Sequence, residues 1–288
     1  MPYSMITANL VRPVRVLHVS PEGASNRPDV AATEEPLEVR VDGDPFAVIM
    51  RTPGADRELA AGFLFAERVL ASASDIESIE RDPESRNAID VRIGAARAQA
   101  LALRADHRRR VVTSSSCGLC GRVTIESLRV EAPAIVADWI IPAAVIAGLP
   151  DALRRAQAVF DETGGLHGAG LFDRSGNLEI TAEDVGRHNA VDKLVGQMLL
   201  AGRLPLDHSI LFVSGRTSYE IVQKAFLAGI PVVGAVSAPS SLAVELAGES
   251  GITLLGFVRG PAFNVYSHAH RLAAADRNPV EDRGVSKV

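Results

Sequence analysis

The chain has 288 residues, 47% hydrophobic and 23% charged, enough to bury a large core as one big domain or two modest ones. Its formal net charge of -5 argues against a general electrostatic attraction to nucleic acid or to an anionic membrane. No apolar run is long enough to span a bilayer and no compact hydrophobic segment precedes a small-residue cleavage site, so a cytoplasmic protein is expected.

Residues 1–33 carry prolines, Asn26 and Asp29 with little periodicity and read as a flexible N-terminal arm. From Pro36 the pattern sharpens. Leu37, Val39 and Val41 alternate with polar residues, Asp42-Gly43-Asp44 supplies turn chemistry, and Phe46, Val48 and Met50 alternate again, which predicts a β-hairpin with one apolar face. Asp56 is placed to cap a helix running to Leu70, with Leu59, Phe63, Leu64 and Leu70 on its buried stripe. Two short strands follow around the turn-rich stretch at 81–85. Residues 34–110 thus form an N-terminal α+β subdomain.

Residues 111–275 read as an α/β core, with the run Thr113-Ser-Ser-Ser-Cys117-Gly-Leu-Cys120-Gly121 at its start and a flexible tail over 276–288. A helix over 149–160 stops near Gly164-Gly165, and a strand pair surrounds the turn at 173–177. A helix over 189–200 has Val191, Leu194, Val195, Met198 and Leu199 at helical spacing. Then short apolar strands at 209–213, 231–236 and 252–257 alternate with helices at 219–228 and 241–248, the pattern of a parallel sheet covered on both faces. The loops after those strands, at 214–218, 237–240 and 259–261, should gather at the carboxyl edge, where open α/β folds bind ligands.

Four patches carry candidate chemistry. Cys117 and Cys120 are the only cysteines and sit among glycine and serine, a setting for a reachable thiolate rather than a packed one. Three readings stay open on the residues alone: a disulfide oxidoreductase using both sulfurs, a zinc site completed by ligands from elsewhere, and a sulfurtransferase carrying a persulfide on a mobile loop. The zinc-deaminase pattern is unsupported, because Gly168 and Ala169 follow His167 with no glutamate and the CxxC lacks its proline and precedes the histidine. His167, in a glycine-rich stretch, is a candidate ligand or proton donor. Arg187 and His188 lie within a polar cluster over 183–193 at a helix start, a natural anion cradle. Ser214, Gly215 and Arg216 offer amides, a hydroxyl and a guanidinium at the next helix start. Phe257, Val258, Arg259, Gly260, Pro261 and Ala262 end the last strand with an aromatic ring and a cation suited to stacking on a flat heterocycle. No Walker-type loop or GxGxxG is present.

The motifs Glu58-Leu-Ala-Ala-Gly-Phe-Leu64, Ser115-Ser-Cys-Gly-Leu-Cys-Gly121, Thr163-Gly-Gly-Leu-His167, Glu183-Asp-Val-Gly-Arg-His-Asn-Ala-Val-Asp-Lys193, Val213-Ser-Gly-Arg-Thr-Ser218 and Gly256-Phe-Val-Arg-Gly260 resemble, in order, those of the FdhD/NarQ family. The resemblance spans Pro36 to about Tyr266. It implies a cytidine-deaminase-like three-layer α/β fold with a smaller N-terminal β-rich part and no zinc centre, commonly as a homodimer. It also implies an accessory sulfurtransferase of formate dehydrogenase. Such a protein takes sulfur as a persulfide from a cysteine desulfurase and passes it to the molybdenum or tungsten bis-pterin guanine dinucleotide cofactor (Mo-bis-MGD). On this reading Cys117 is the persulfide carrier and Cys120 an assisting or resolving thiol. The segment 257–262 matches the family's cofactor-binding region, although Pro261 and Ala262 replace polar residues expected there. Ser214, Gly215, Arg216, His167, Arg187 and His188 complete the candidate cofactor-binding set, with no resident metal.

Overall fold

The computed structural model describes residues 10–103 and 133–273. Strands β1 (Val11–Ser20) and β2 (Gly23–Ala32) form a regular antiparallel ribbon where the sequence leads one to expect an irregular arm. Alternation is hidden there because most of both strands is exposed, including Leu17 and Val19, and because Pro13 and Pro28 sit inside the strands. The ribbon is tied down at its base. Thr33 N–H donates to the Leu10 carbonyl, and Arg12 pairs with Glu35.

Strands β3 (Glu35–Val41), β4 (Asp44–Arg51), β5 (Ile76–Arg81) and β6 (Ala88–Ile93) make a second sheet in the order β4-β3-β6-β5. Leu37 pairs with Ile49 and Val39 with Ala47, so these four share the buried face. That register turns Val48 and Met50 of the expected apolar face to the opposite side, where they are half-buried, while Phe46, at a register shift, stays with the core and meets the Phe63 ring edge-on at 6.1 Å. Helix α1 (Asp56–Ala66) covers the buried face but is shorter than expected, and Asp56 does not cap it. The cap position is Ala55 in the left-handed region, while the Asp56 carboxylate accepts from Arg51 at 3.0 and 3.1 Å and from Arg81 at 2.9 Å. Arg51 is itself buried, and a lone guanidinium there would cost several kcal/mol. The sequence spends its acid on that charge instead of on the helix end.

After α2 (Ala95–Leu103), helix α3 (Ala143–Ala156) breaks at Gln157 before α4 (Ala158–Thr163), which stops at Gly164 with φ 65°, the expected terminator. The main sheet contains β7 (His167–Phe172), β8 (Leu178–Asp184), β9 (Ile210–Val213), β10 (Val232–Ala235), β11 (Thr253–Arg259) and β12 (Ala262–Ser267), in the order β12-β11-β10-β9-β7-β8. Its centre, β9, β10 and β11, is parallel as the apolar runs predict, with α6 (Tyr219–Leu227) and α7 (Ser241–Ser250) as crossovers. The flanking strands β7, β8 and β12 are antiparallel. Strand β12 corrects one expectation: β11 is not the last strand, and residues 260–261 turn it back along itself.

Both sheet faces are covered, which is what makes the architecture layered α/β. Leu211, Val213, Val233, Ala235 and Leu254 face α6, α7 and α5 (Arg187–Leu200), whereas Ile210, Phe212, Val232 and Leu255 face α3. The first cluster continues without interruption through α1 to Leu37, Val39, Ile89 and Val91, so the N-terminal sheet shares one core with the main body. Helices α1 and α5 cross where Gly62 and Gly196 meet. A Cβ on Gly62 would lie 1.9 Å from the Asp192 carbonyl oxygen, and one on Gly196 1.9 Å from that of Glu58.

Candidate functional site

The register of the main sheet gathers the site. His167 opens β7 opposite Asp184, the last residue of β8, and Ser214 N–H donates to the Gly168 carbonyl at the end of β9. The starts of α5 and α6 therefore lie side by side at the carboxyl edge of β9, as the expected gathering of loops requires. The next loop joins them: Thr217 N–H donates to the Ala238 carbonyl and Ser240 N–H to that of Thr217. Phe257 N–H donates to the Ser237 carbonyl, which brings the end of β11 to the same rim.

Asp184 fixes the entry to α5. It is fully buried and accepts from Thr52 N–H at 3.1 Å, Gly186 N–H at 2.8 Å and Asn189 Nδ2 at 2.8 Å, with Lys193 Nζ at 2.7 Å. Glu183 turns away to receive the Val159 and Phe160 amides, so it caps α4. Glu183, Asp184, Asn189 and Lys193 are thus scaffold, as is Asp192, which pairs with Lys224. What remains for a ligand is Arg187 and His188.

Those two stand at the rim with His167. The Arg187 Nε is buried with no hydrogen-bond partner among the described residues. A Cβ on Gly215 would lie 3.3 Å from His167 Nδ1 and 4.0 Å from Arg187 Cδ, so the loop passes beside both side chains and a side chain there would crowd His167. Ser214 is partly used, its Oγ accepting from Gly168 N–H. Arg216 is exposed. His188 Nε2 lies 2.9 Å from Ser218 Oγ and 3.3 Å from Glu220 Oε2. Ser218 thereby leaves its N-cap duty unfilled, and Gly186 cannot supply a side-chain cap to α5. Among the described residues, neither helix therefore receives a hydrogen bond from its N-cap side chain, whereas Ser240 closes its own helix by accepting from Ala243 N–H.

The electrostatics follow from burial around a cation. Burial, then the charges of Lys224 and Arg187, push the His188 imidazole down to about 3, and burial with Arg187 lowers His167 as well. Burial raises Glu220 to about 7 even though Lys224 opposes it, and raises Asp192, which holds Lys224 Nζ at 2.6 Å, to about 6. Because folded Glu220 keeps a proton that the unfolded chain releases, its contribution to stability falls as pH rises from about 4.5 to about 7. Glutamine lacks that slope. A Glu220→Gln protein is therefore expected to gain melting temperature relative to the parent between pH 5 and pH 8, and melts at the two pH values check the sign.

Of the segment at 257–262, Phe257 and Arg259 point outward with the guanidinium 5.9 Å from the ring centroid, Gly260 and Pro261 form the exposed turn, and Ala262, also exposed, opens β12. Val258 is fully buried in the second core cluster, so its side chain cannot face a ligand. Phe257 has φ 53°, an uncommon conformation for an aromatic residue, and marks a bulge where the β11–β12 register shifts. Asp192 and Ser218 fell inside the 183–193 cluster and the 214–218 loop with no role of their own, and Glu220 and Lys224 were not singled out from sequence; the available signal was charge inside an otherwise apolar helix. Cys117 and Cys120 lie outside the described residues. Among the described residues, no three His, Cys, Asp or Glu side chains converge as metal ligands.

The model of the FdhD/NarQ family matches residues 32–273. The chain belongs to that family. Within FdhD/NarQ it is 48% identical over 269 residues to the sulfur carrier protein FdhD of Streptomyces avermitilis, covering 90% of this chain and 94% of that one. It is 43% identical over 265 residues to the protein of the same name from Sulfurisphaera tokodaii, covering 91% and 99%. The crystal structure of a protein assigned as a formate dehydrogenase accessory protein of Desulfotalea psychrophila superposes with a TM-score of 0.73 at 28% identity, over 92% of this chain and all of that one. The layered fold described above is therefore an FdhD/NarQ fold. No helix among the described residues is long and apolar enough to cross a membrane.

Proposed function

We propose that this chain is a cytoplasmic sulfur carrier that sulfurates the molybdenum or tungsten bis-pterin guanine dinucleotide cofactor (Mo-bis-MGD) before formate dehydrogenase receives it. The observation that carries this reading is the convergence at one sheet edge of Arg187 with its unpartnered Nε, two imidazoles and two helix starts without an N-cap side-chain bond among the described residues. Such an edge suits the phosphates of a large anionic cofactor, here a substrate rather than a resident group. Phe257 and Arg259 offer a stacking surface farther along the same rim. The names of the relatives support the sulfur-carrier part, and that of the Desulfotalea protein the formate dehydrogenase part.

Cys117 thiolate attacks the terminal sulfur of a cysteine desulfurase persulfide. The donor's S–S bond breaks, its thiolate leaves, and a persulfide forms on Cys117. In the second transfer the acceptor supplies the electron pair for the new bond, and Cys117 thiolate is the leaving group. Cys120 assists as the neighbouring thiol. The protein works as a homodimer, with no nucleic acid or membrane partner. Incubation with a desulfurase and cysteine is expected to add one sulfur at Cys117 by mass spectrometry, and Cys117→Ala to abolish cofactor sulfuration. If a variant lacking both cysteines still supports an active dehydrogenase, the protein is a cofactor chaperone and not a carrier. Reduction of a generic disulfide substrate, lost in Cys120→Ala, would instead make it a dithiol oxidoreductase.

A further inference from the structure

The proposed function leaves Glu220 unused. It lies in the first turn of α6, more than nine-tenths buried, and Oε2 has no aligned donor although His188 Nε2 is 3.3 Å away. A buried carboxyl oxygen without a hydrogen-bond partner is costly and calls for a reason. Asp192, which holds Lys224, is the next acid along the same helix, and the charged and polar groups around His188 among the described residues are these. Arg187 and Asp192 share its helix, His167 comes from β7, and Ser218, Glu220 and Lys224 come from α6 and its cap. Glu67, beyond the end of α1, acts on Glu220 and Asp192. Lys224 acts on His188 as well but is held by Asp192 at 2.6 Å, so among the described residues Arg187, with its unpartnered Nε, is the cation available to a ligand beside the two imidazoles.

We propose that Arg187 receives an anionic phosphate of the cofactor and that His188 joins it as an imidazolium, taking its proton from Glu220 across the 3.3 Å gap. This rests on the reading that the carboxyl edge holds the cofactor. In the empty site Ser218 Oγ–H and the protonated Glu220 face an unprotonated Nε2. When a phosphate arrives beside Arg187, negative charge makes the imidazolium favourable. The Glu220 O–H bond breaks, the Nε2–H bond forms, and the new carboxylate is the counter-charge behind the ring. Glu220 is thus a positioning residue, acting on the ligand only through His188. Above about pH 7, where Glu220 of the empty site has already lost its proton, the proton must come from solvent. Binding then becomes proton-linked.

GDP, a fragment of the guanine dinucleotide, is the probe, with the full-length protein. Between pH 7.5 and 9 its terminal phosphate is fully ionised, since such a group titrates near about pH 6. Calorimetry at pH 8 in two buffers of different ionisation enthalpy is expected to show uptake approaching one proton per GDP. Affinity is expected to fall with rising pH by up to about tenfold per unit. Arg187→Gln should weaken binding by about tenfold or more. Glu220→Gln, which retains the shape without the acid, should bind with no proton uptake and a flat pH profile. GDP binding by the parent with no proton exchange, or with equal affinity in Arg187→Gln, overturns this inference and leaves the cofactor site standing. Absence of any GDP binding overturns the cofactor site itself.

Discussion

A Gly62→Ala protein will lose about 3 kcal/mol or more of folding stability, the upper part of the range for inserting a methyl into a packed core. The reason is what the methyl meets. Ordinary overpacking is relieved by a side chain changing rotamer, but here the obstacle is the Asp192 carbonyl oxygen at 1.9 Å and the Gly196 amide nitrogen at 2.9 Å, both backbone atoms of α5. Relief requires α1 and α5 to separate. Separation loosens the layer that joins the N-terminal sheet to the main sheet, since Leu59 and Leu64 of α1 and Val191 and Leu194 of α5 belong to one cluster. For a chain of this size each kcal/mol moves the melting temperature by roughly 2–4 °C. Thermal melts should therefore show a fall of about 6 °C or more, with Gly196→Ala close behind because its Cβ would strike the Glu58 carbonyl oxygen. Gly248→Ala is the control: no atom lies within 4 Å of the added Cβ, and removing a glycine from the α7 interior favours the helix by about 0.5–1 kcal/mol. Equal melting temperatures for the Gly62 variant and the parent would mean that the helices do not cross at this distance.

This crossing also shows what could be read in the sequence and what could not. Strands β9, β10 and β11 announced themselves as short apolar runs alternating with helices, because burial on both faces removes alternation. The gathering of the 214–218 and 237–240 loops and the end of β11 followed from that topology alone. The β1–β2 ribbon carried no such signal, since neither face is buried and each strand contains a proline. Strand β12 had a period of two in Phe263, Asn264 and Val265, but six residues after a glycine-proline turn read as a strand exit. The site was half legible. Arg187 and His188 stood out as charge at a helix start, yet their partner Glu220 lies some thirty residues away on another helix, and one-dimensional spacing does not encode a contact between helices. Asp56 shows the opposite error. A residue well suited to cap a helix was claimed by buried Arg51, and local preference yielded to a charge whose other carboxylate, that of Glu35, stands off at 3.7 Å.

Asp184→Ala should damage both stability and binding, by different routes. Asp184 is the buried acceptor for four donors: the Thr52 and Gly186 amides, Asn189 Nδ2 and Lys193 Nζ. Among the described residues, alanine leaves a buried ammonium facing the Thr52 and Glu183 carbonyls at 2.9 and 3.2 Å and no carboxylate. Removing one partner of a buried pair costs about 3–5 kcal/mol, because the remaining charge keeps its desolvation penalty. Denaturant titration should show this as a lower midpoint with the slope unchanged. The second route runs through geometry. Gly186 N–H and Asn189 hold the turn from which Arg187 and His188 project, so the freed turn should weaken GDP binding even under conditions where the variant is fully folded. Asp184→Asn separates the two routes. It keeps an acceptor oxygen for the turn while losing the charge that Lys193 needs, so stability should fall while GDP affinity stays closer to that of the parent than in the alanine protein. If Asn and Ala variants matched the parent in both midpoint and affinity, Asp184 would not be the residue that ties the core to the rim.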